Sequence, residues 1–199
     1  MQPETFCIAL KNNPVSKNLL SECLQSAEQF GWTVTLFDAV EGNSITEETW
    51  NALGIIPSLD NKFQKRKGAQ GCSLSHYHLW KYCIDKNSPI VILEHDALIL
   101  RPWEDISGDY DVTKLHVQVT KIKEDQYTGG WTESTHAYYI TPAGADRLVK
   151  WVKENFLYHA DCMLGSNIVD VGYLENTMVR LNPNNISTIH DKKNNNLRI

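Results

Sequence analysis

Four consecutive apolar residues, Ile90 to Leu93, break off into Glu94-His95-Asp96, and the apolar run Ala97-Leu98-Ile99-Leu100 follows at once. A strand apolar at every position has both faces covered, the habit of a central strand in a parallel sheet with helices on each side. Charged residues at its carboxyl end then stand where open α/β sheets bind their ligands. Read as extended chain, Glu94 and Asp96 fall on one side and His95 on the other. Two carboxylates so placed suit a hard divalent cation that also holds a diphosphate. The plainer reading is strand-end acids that cap a turn or pair with lysine or arginine.

The chain before this strand supports the same fold class. Phe6–Leu10 is a short apolar run closed by Asn12-Asn13-Pro14, and reads as a buried first strand. Val15, Leu19, Leu20, Cys23, Leu24, Ala27 and Phe30 recur at helical spacing, with Gly31 as the stop. Thr33–Phe37 is β-branched and ends in Asp38, a second strand. Strand, helix and strand in this order make a βαβ unit with parallel pairing and a right-handed crossover. Thr46-Glu47-Glu48 before Trp50 and Leu53 predicts a small capped helix closed by Gly54, and residues 57–71 read as irregular. Ser73 is then expected to cap a helix carrying Leu79, Trp80, Cys83 and Ile84. Gly71-Cys72-Ser73-Leu74-Ser75-His76 would present backbone N–H groups to an anion at that helix start, or would be a plain serine cap. His76 reads locally as a buried, satisfied histidine, with a catalytic role as the alternative.

In the second half, Leu115–Val119 alternates like a strand, Gly129-Gly130-Trp131 reads as a flexible turn, and His136–Ile140 as another strand. Thr141-Pro142 opens a helix with Ala145, Leu148, Val149, Val152 and Phe156 on one face. Leu174–Leu181 is expected to hold a late strand, and residues 191–199 a polar tail.

Composition narrows the class further. At 199 residues with 42% hydrophobic residues, the chain suits one ordinary globular domain, and no repeat or linker divides it. Five scattered cysteines, never spaced as Cys-x-x-Cys, argue against a disulfide framework or a zinc ribbon. The apolar runs are far shorter than the ~20 residues of a membrane span. Met1-Gln2-Pro3-Glu4 lacks the basic and apolar regions of a secretory signal, so a cytoplasmic protein is expected. A net charge of −5 argues against a general nucleic-acid binder. Lys62, Lys65, Arg66 and Lys67 nevertheless cluster, as a solvated loop or as a contact for a diphosphate or another polyanion.

Several blocks, in order, carry a family likeness. They are CIALKNN at the first strand, FDAVEG from Phe37 to Gly42, GCSLSHYHLWKYCI from Gly71 to Ile84, PIVILEHDALI from Pro89 to Ile99, HAYYITPAGADRL from His136 to Leu148, and the later HADCML. The chain resembles glycosyltransferase family 25, which includes bacterial lipooligosaccharide galactosyltransferases and collagen galactosyltransferases. The resemblance implies a GT-A-type, Rossmann-like single α/β domain with a mostly parallel central sheet flanked by helices. Residues 1–100 would be the nucleotide-sugar half and 101–190 the acceptor-side half. It also implies a UDP-sugar donor, galactose or glucose favoured, a divalent cation (Mn²⁺ or Mg²⁺), inversion at the anomeric carbon, and a glycan acceptor, as in lipopolysaccharide biosynthesis.

Carried over by position, Asp96 and Glu94 would ligate the metal, with His190 completing the shell. His95 stands where the family has an acid. Leu10, Asn12, Asp38, Ala39, Gly42, Gly71, Ser75, His76, Glu94 and His95 would bind the donor, with Lys67, or Lys65 or Arg66, replacing arginines the family carries near the first loop. Asp161 is the expected base, its rival role being to cap a helix beginning at Cys162. Glu133 is the second choice of base, and Trp131 would stack on the acceptor sugar or pack its own loop. Two other readings stay open: a non-catalytic sugar- or nucleotide-binding family member, and a viral-type glycosyltransferase of modified DNA bases using the 62–67 loop and Lys192-Lys193.

Overall fold

The computed structural model describes residues 1–118, 125, 134–165 and 167–184. The first strand, β1 (Glu4–Ala9), leads into α1 (Pro14–Gln29), whose N-cap Asn13 side chain accepts from the Val15 and Ser16 amides. The helix stops at Gly31, which has φ +71°, a value that suits a residue without Cβ. The edge strand β2 (Thr35–Asp38) pairs parallel to β1, completing the expected βαβ unit. α2 (Glu47–Leu53) is capped by Thr46, as its sequence predicts.

Residues 57–71 are irregular only as far as Asp60 and at Arg66. They hold α3 (Asn61–Lys65), capped by Asp60, and the start of α4 (Lys67–Lys86). Ser73 therefore lies inside a long helix rather than at its cap, and the helix N-terminal anion cradle expected at Gly71–Ser75 is not formed. α4 ends at Asn87, and β3 (Ile90–Glu94) follows.

β4 (Ala97–Ile99) leaves the main sheet and pairs antiparallel with β8 (Val179–Leu181). The chain returns as β5 (Val112–Lys114), β6 (Ala137–Ile140), α5 (Pro142–Glu154, N-capped by Thr141), α6 (Ala160–Leu164) and β7 (Val171–Tyr173). The strand expected at 115–119 lies earlier, at 112–114, and the late strand expected over 174–181 is confined to β8 at its end, with β7 lying just before the expected range.

The main sheet runs β2-β1-β3-β6-β5-β7. The β2–β1, β1–β3 and β5–β7 pairings are parallel, whereas β6 is antiparallel to both β3 and β5. β3 is thus central, but its second neighbour runs against it. The period-2 alternation of side chains separates two cores. Phe6, Ile8, Ile90, Ile92, Tyr138 and Ile140 face the helices α4 and α5. Cys7, Val91, Leu93, Ala137 and Tyr139 face the side of α1 and β4. No helix among the described residues is long and apolar enough to cross a membrane. This topology puts the carboxyl ends of β1, β2 and β3 and the amino end of β6 at one edge, where the cleft opens.

Candidate functional site

A cleft of about 350 Å³ opens at that edge. Of the residues singled out from sequence, Leu10, Ala39, Gly42, Glu94, His95, Asp96 and Asp161 line it. Glu94 is the last residue of β3; its amide donates to His136 O at 2.9 Å, and the His95 amide donates to Ile8 O at 3.0 Å. The chain then turns at His95-Asp96 instead of continuing extended. Alternation therefore fails at that point, and His95 joins the two acids in the cleft wall rather than facing away from them.

Behind Glu94 runs a buried relay. Trp80 Nε1 donates to the Tyr138 hydroxyl at 2.9 Å, and that hydroxyl lies 2.7 Å from His76 Nδ1. With its oxygen taken by the indole, the tyrosine satisfies its own proton by donating to Nδ1, so His76 carries its proton on Nε2 and donates to Glu94 Oε1 at 3.3 Å. Thr135 Oγ1 donates to the same Oε1. Burial alone would raise the Glu94 carboxyl, but these two donors overcome it and hold it at about 2. Glu94 is a fixed carboxylate.

Asp96 is the opposite case. It is 6% exposed, and burial together with the neighbouring Glu94 charge pushes its carboxyl up to about 7. Burial also raises Asp161, offset by His159 and Lys114, while Asp161 Oδ1 accepts from the Cys162 amide at 3.0 Å. Asp161 thus sits in the first turn of α6, not ahead of a helix starting at Cys162, and it faces the cleft. The histidines at the wall, His95 and His159, are lowered chiefly by burial and stand neutral there.

The remaining candidates lie elsewhere. His76 is fully buried and Ser75 as well, and neither lines the cleft. Ser75 Oγ accepts from the Val40 amide at 2.9 Å and donates to Gly71 O at 2.8 Å, pinning the 39–42 loop to α4. Both glycines of this contact are steric requirements. A Cβ on Gly42 would come 1.8 Å from Lys67 O, and one on Gly71 would come 2.3 Å from Val40 O. Gly71 is therefore a packing residue rather than a donor contact.

Asp38 pairs with Lys11 at 2.5 Å on the surface, and exposed Asn12 contacts Glu41 at 3.4 Å. Lys67 donates to Gln70 Oε1 at 3.3 Å; from the basic run it is Arg66 that reaches the cleft. Glu133, Trp131, His190 and Lys192-Lys193 lie outside the described residues.

Sequence reasoning missed Cys72, Ser73, Ser134, Thr135 and His159 as lining residues. It also missed Lys114, fully buried on β5, whose ammonium donates to Ser134 O at 3.0 Å and is lowered to about 8 by burial. Ser73 and Cys72 were hidden by the mistaken helix start. Nothing in a Val-Thr-Lys strand marks its lysine as internal.

The donor chemistry at the cleft fits a hard divalent ion. Asp96, Glu94 and Asp161 offer carboxylate oxygens, and the burial that resists ionisation of Asp96 is the cost a cation would offset. Among the described residues lining the cleft, Arg66 at the rim is the one arginine or lysine, a contact for an anionic ligand.

Residues 2–133 match the family described as glycosyltransferase family 25 (LPS biosynthesis protein). A glycosyltransferase 25 family member of Aedes aegypti is 25% identical over 103 residues, covering 49% of this chain and 16% of that protein. A probable inactive glycosyltransferase 25 family member 3 of Bos taurus is 29% identical over 171 residues, covering 73% of this chain and 28% of that protein. The chain thus spans less than a third of the length of these relatives. Among solved structures, the galactosyltransferase LgtC in complex with donor and acceptor sugar analogs aligns over 85% of this chain and 72% of that one, at 13% identity and a TM-score of 0.48. The matched stretch carries Glu94, Asp96 and the loop and helix that frame them, and on that match this chain belongs to glycosyltransferase family 25.

Proposed function

We propose that the cleft binds a nucleotide-sugar donor, UDP-galactose or UDP-glucose, together with Mn²⁺ or Mg²⁺, and that the protein transfers the hexose with inversion to a glycan hydroxyl. The observation that carries this reading is the placement of Glu94 and Asp96 side by side in the cleft wall, at the carboxyl end of the central strand. Asp96 and Glu94 would hold the cation, which when bound neutralises charge on the diphosphate. Both of Glu94's described donors converge on Oε1, so Oε2 is the oxygen open to a ligand.

Arg66 would hold a phosphate at the rim. Ala39, Val40 and Gly42, fixed by Ser75 and by the glycine contacts, present backbone rather than bulk to the nucleoside. Asp161, its proton affinity raised by burial, is suited to act as the base. It accepts the proton of the attacking hydroxyl as the new C–O bond forms at the anomeric carbon and the bond to the diphosphate oxygen breaks.

Two observations favour a second reading. His95 stands in place of the middle acid, and relatives matching 73% of the chain bear the word inactive in their names. In that case the cleft would bind donor without turnover. Incubation of purified protein with UDP-galactose or UDP-glucose and Mn²⁺ separates the two. Metal-dependent stabilisation with slow release of UDP supports the transferase; stabilisation without release across Mn²⁺, Mg²⁺ and Co²⁺ supports the binding protein. No thermal shift with any nucleotide diphosphate and metal would remove both.

A further inference from the structure

Behind the cleft wall, one ligand atom each from Cys72, His76 and Glu94 lie within 4.8 Å of one another. Cys72 and His76 are four residues apart on α4 and so share a face, while Glu94 arrives on β3. The helix and the strand are packed through Leu74, Tyr77, Ile90 and Ile92, so the three groups keep their separation without help from a ligand.

We propose that these three side chains form a second metal site, for a borderline-soft divalent cation of the zinc type. A thiolate, an imidazole nitrogen and a carboxylate oxygen, with a fourth position facing a cleft, is the donor set of an open zinc site. Mn²⁺ and Mg²⁺ prefer all-oxygen shells and would not choose it.

Three features of the surroundings support the assignment. His76 Nε2 lies 3.3 Å from Glu94 Oε1, a gap bridged by one proton whose place an ion would take. His76 Nδ1 is held at 2.7 Å by the Tyr138 hydroxyl, itself fixed by Trp80, and a ligating histidine is ordinarily oriented through its other ring nitrogen in this way. Of the five cysteines, Cys72 alone is only partly buried, and it is the one that lines the cleft. Binding releases the thiol and Nε2 protons to water and changes no oxidation state.

The proposal does not depend on the transferase reading, and its test uses no nucleotide. Co²⁺ added to the full chain is expected to give a thiolate-to-cobalt absorption band in the near ultraviolet, saturating at one equivalent and lost on adding Zn²⁺. Cys72→Ser should abolish the band while leaving the circular dichroism and the metal-free unfolding transition unchanged. Zn²⁺ should also slow iodoacetamide alkylation of Cys72 in the wild-type chain, followed by mass spectrometry of the peptide. Absence of the band, its survival in Cys72→Ser, or alkylation indifferent to Zn²⁺ would each overturn the site. Failure of the transferase reading shows separately, as absent Mn²⁺-dependent donor binding.

Discussion

The wall behind Glu94 and the mouth around Asp96 are built from neighbouring residues, yet they handle charge in opposite ways. Behind Glu94, Trp80, Tyr138, His76 and Thr135 form a chain in which the donors are matched to acceptors, and the carboxylate is held at about 2. At the mouth, Asp96 and Asp161 are raised by burial, with His95 and His159 kept neutral beside them. A network of this kind fixes the geometry of the side chains in it; a carboxyl whose ionisation is opposed by burial gains from a cation beside it. Environments that drive two carboxylates apart are a recurrent way of assigning different tasks to them.

The contrast can be broken most directly at Asp96. Asp96→Asn keeps the shape and removes the charge, and should lower donor turnover by roughly 10²-fold or more, as expected when several kcal/mol of metal-borne stabilisation are lost. Release of UDP from the donor measures it, and full activity in the variant would remove Asp96 from the metal's ligands.

A metal-free stability profile sharpens the same contrast. Asp96, raised from 3.8 to about 7 in the fold, keeps a proton that the unfolded chain has released, so its contribution falls as pH rises from about 4 to 7 and is flat above. Glu94, lowered to about 2, contributes fully above about 4.5, and that contribution is lost as pH falls towards 2. Urea unfolding with a chelator present should therefore show Asp96→Asn gaining on wild type by roughly a few kcal/mol between pH 4 and 7. A constant difference across that range would contradict the assignment.

Smaller effects belong to the wall and the rim. Tyr138→Phe strands the Trp80 indole N–H and His76 Nδ1 in the core and should cost about 1–3 kcal/mol in the same unfolding measurement, the penalty for unpaired buried polar groups. At the rim, Arg66→Ala should weaken donor binding roughly tenfold, the loss of one charge-assisted contact. Lys67→Ala should leave binding within about twofold, a rim charge turned away from the ligand being mostly screened. Calorimetric titration at two salt concentrations compares the pair, and equal losses would mean the basic run acts as a diffuse field.

Much of the mouth was legible before any coordinates. Ile90–Leu93 announced a central strand by being apolar throughout, and an acid at its end follows from sheet topology. Thr141-Pro142 marked a helix start by proline's fixed φ.

The wall was hidden for physical reasons. Residues 57–71 read as irregular, whereas Gly71 is needed inside α4 because the 39–42 loop packs against its backbone. Missing the first turns of α4 misplaced Cys72 and Ser73 and suggested an anion cradle where there is a packed helix. Tyr138 lies 62 residues from His76, and no local pattern announces a pairing of that range. Lys114 was invisible because lysine reads as solvent-facing, and burial on β5 reverses that expectation. The alternation at Leu115–Val119 drew the strand a few residues too late, past the buried residues that form it.

The central claim is that a cation held by Asp96 and Glu94 fastens a nucleotide sugar in this cleft. Isothermal titration of UDP-galactose and UDP-glucose into wild type and Asp96→Asn, each with Mn²⁺ and with chelator, tests it in one set of experiments. The account predicts binding to wild type only when Mn²⁺ is present, and none to the variant under either condition. Binding that ignores both the metal and the Asp96 charge would contradict it.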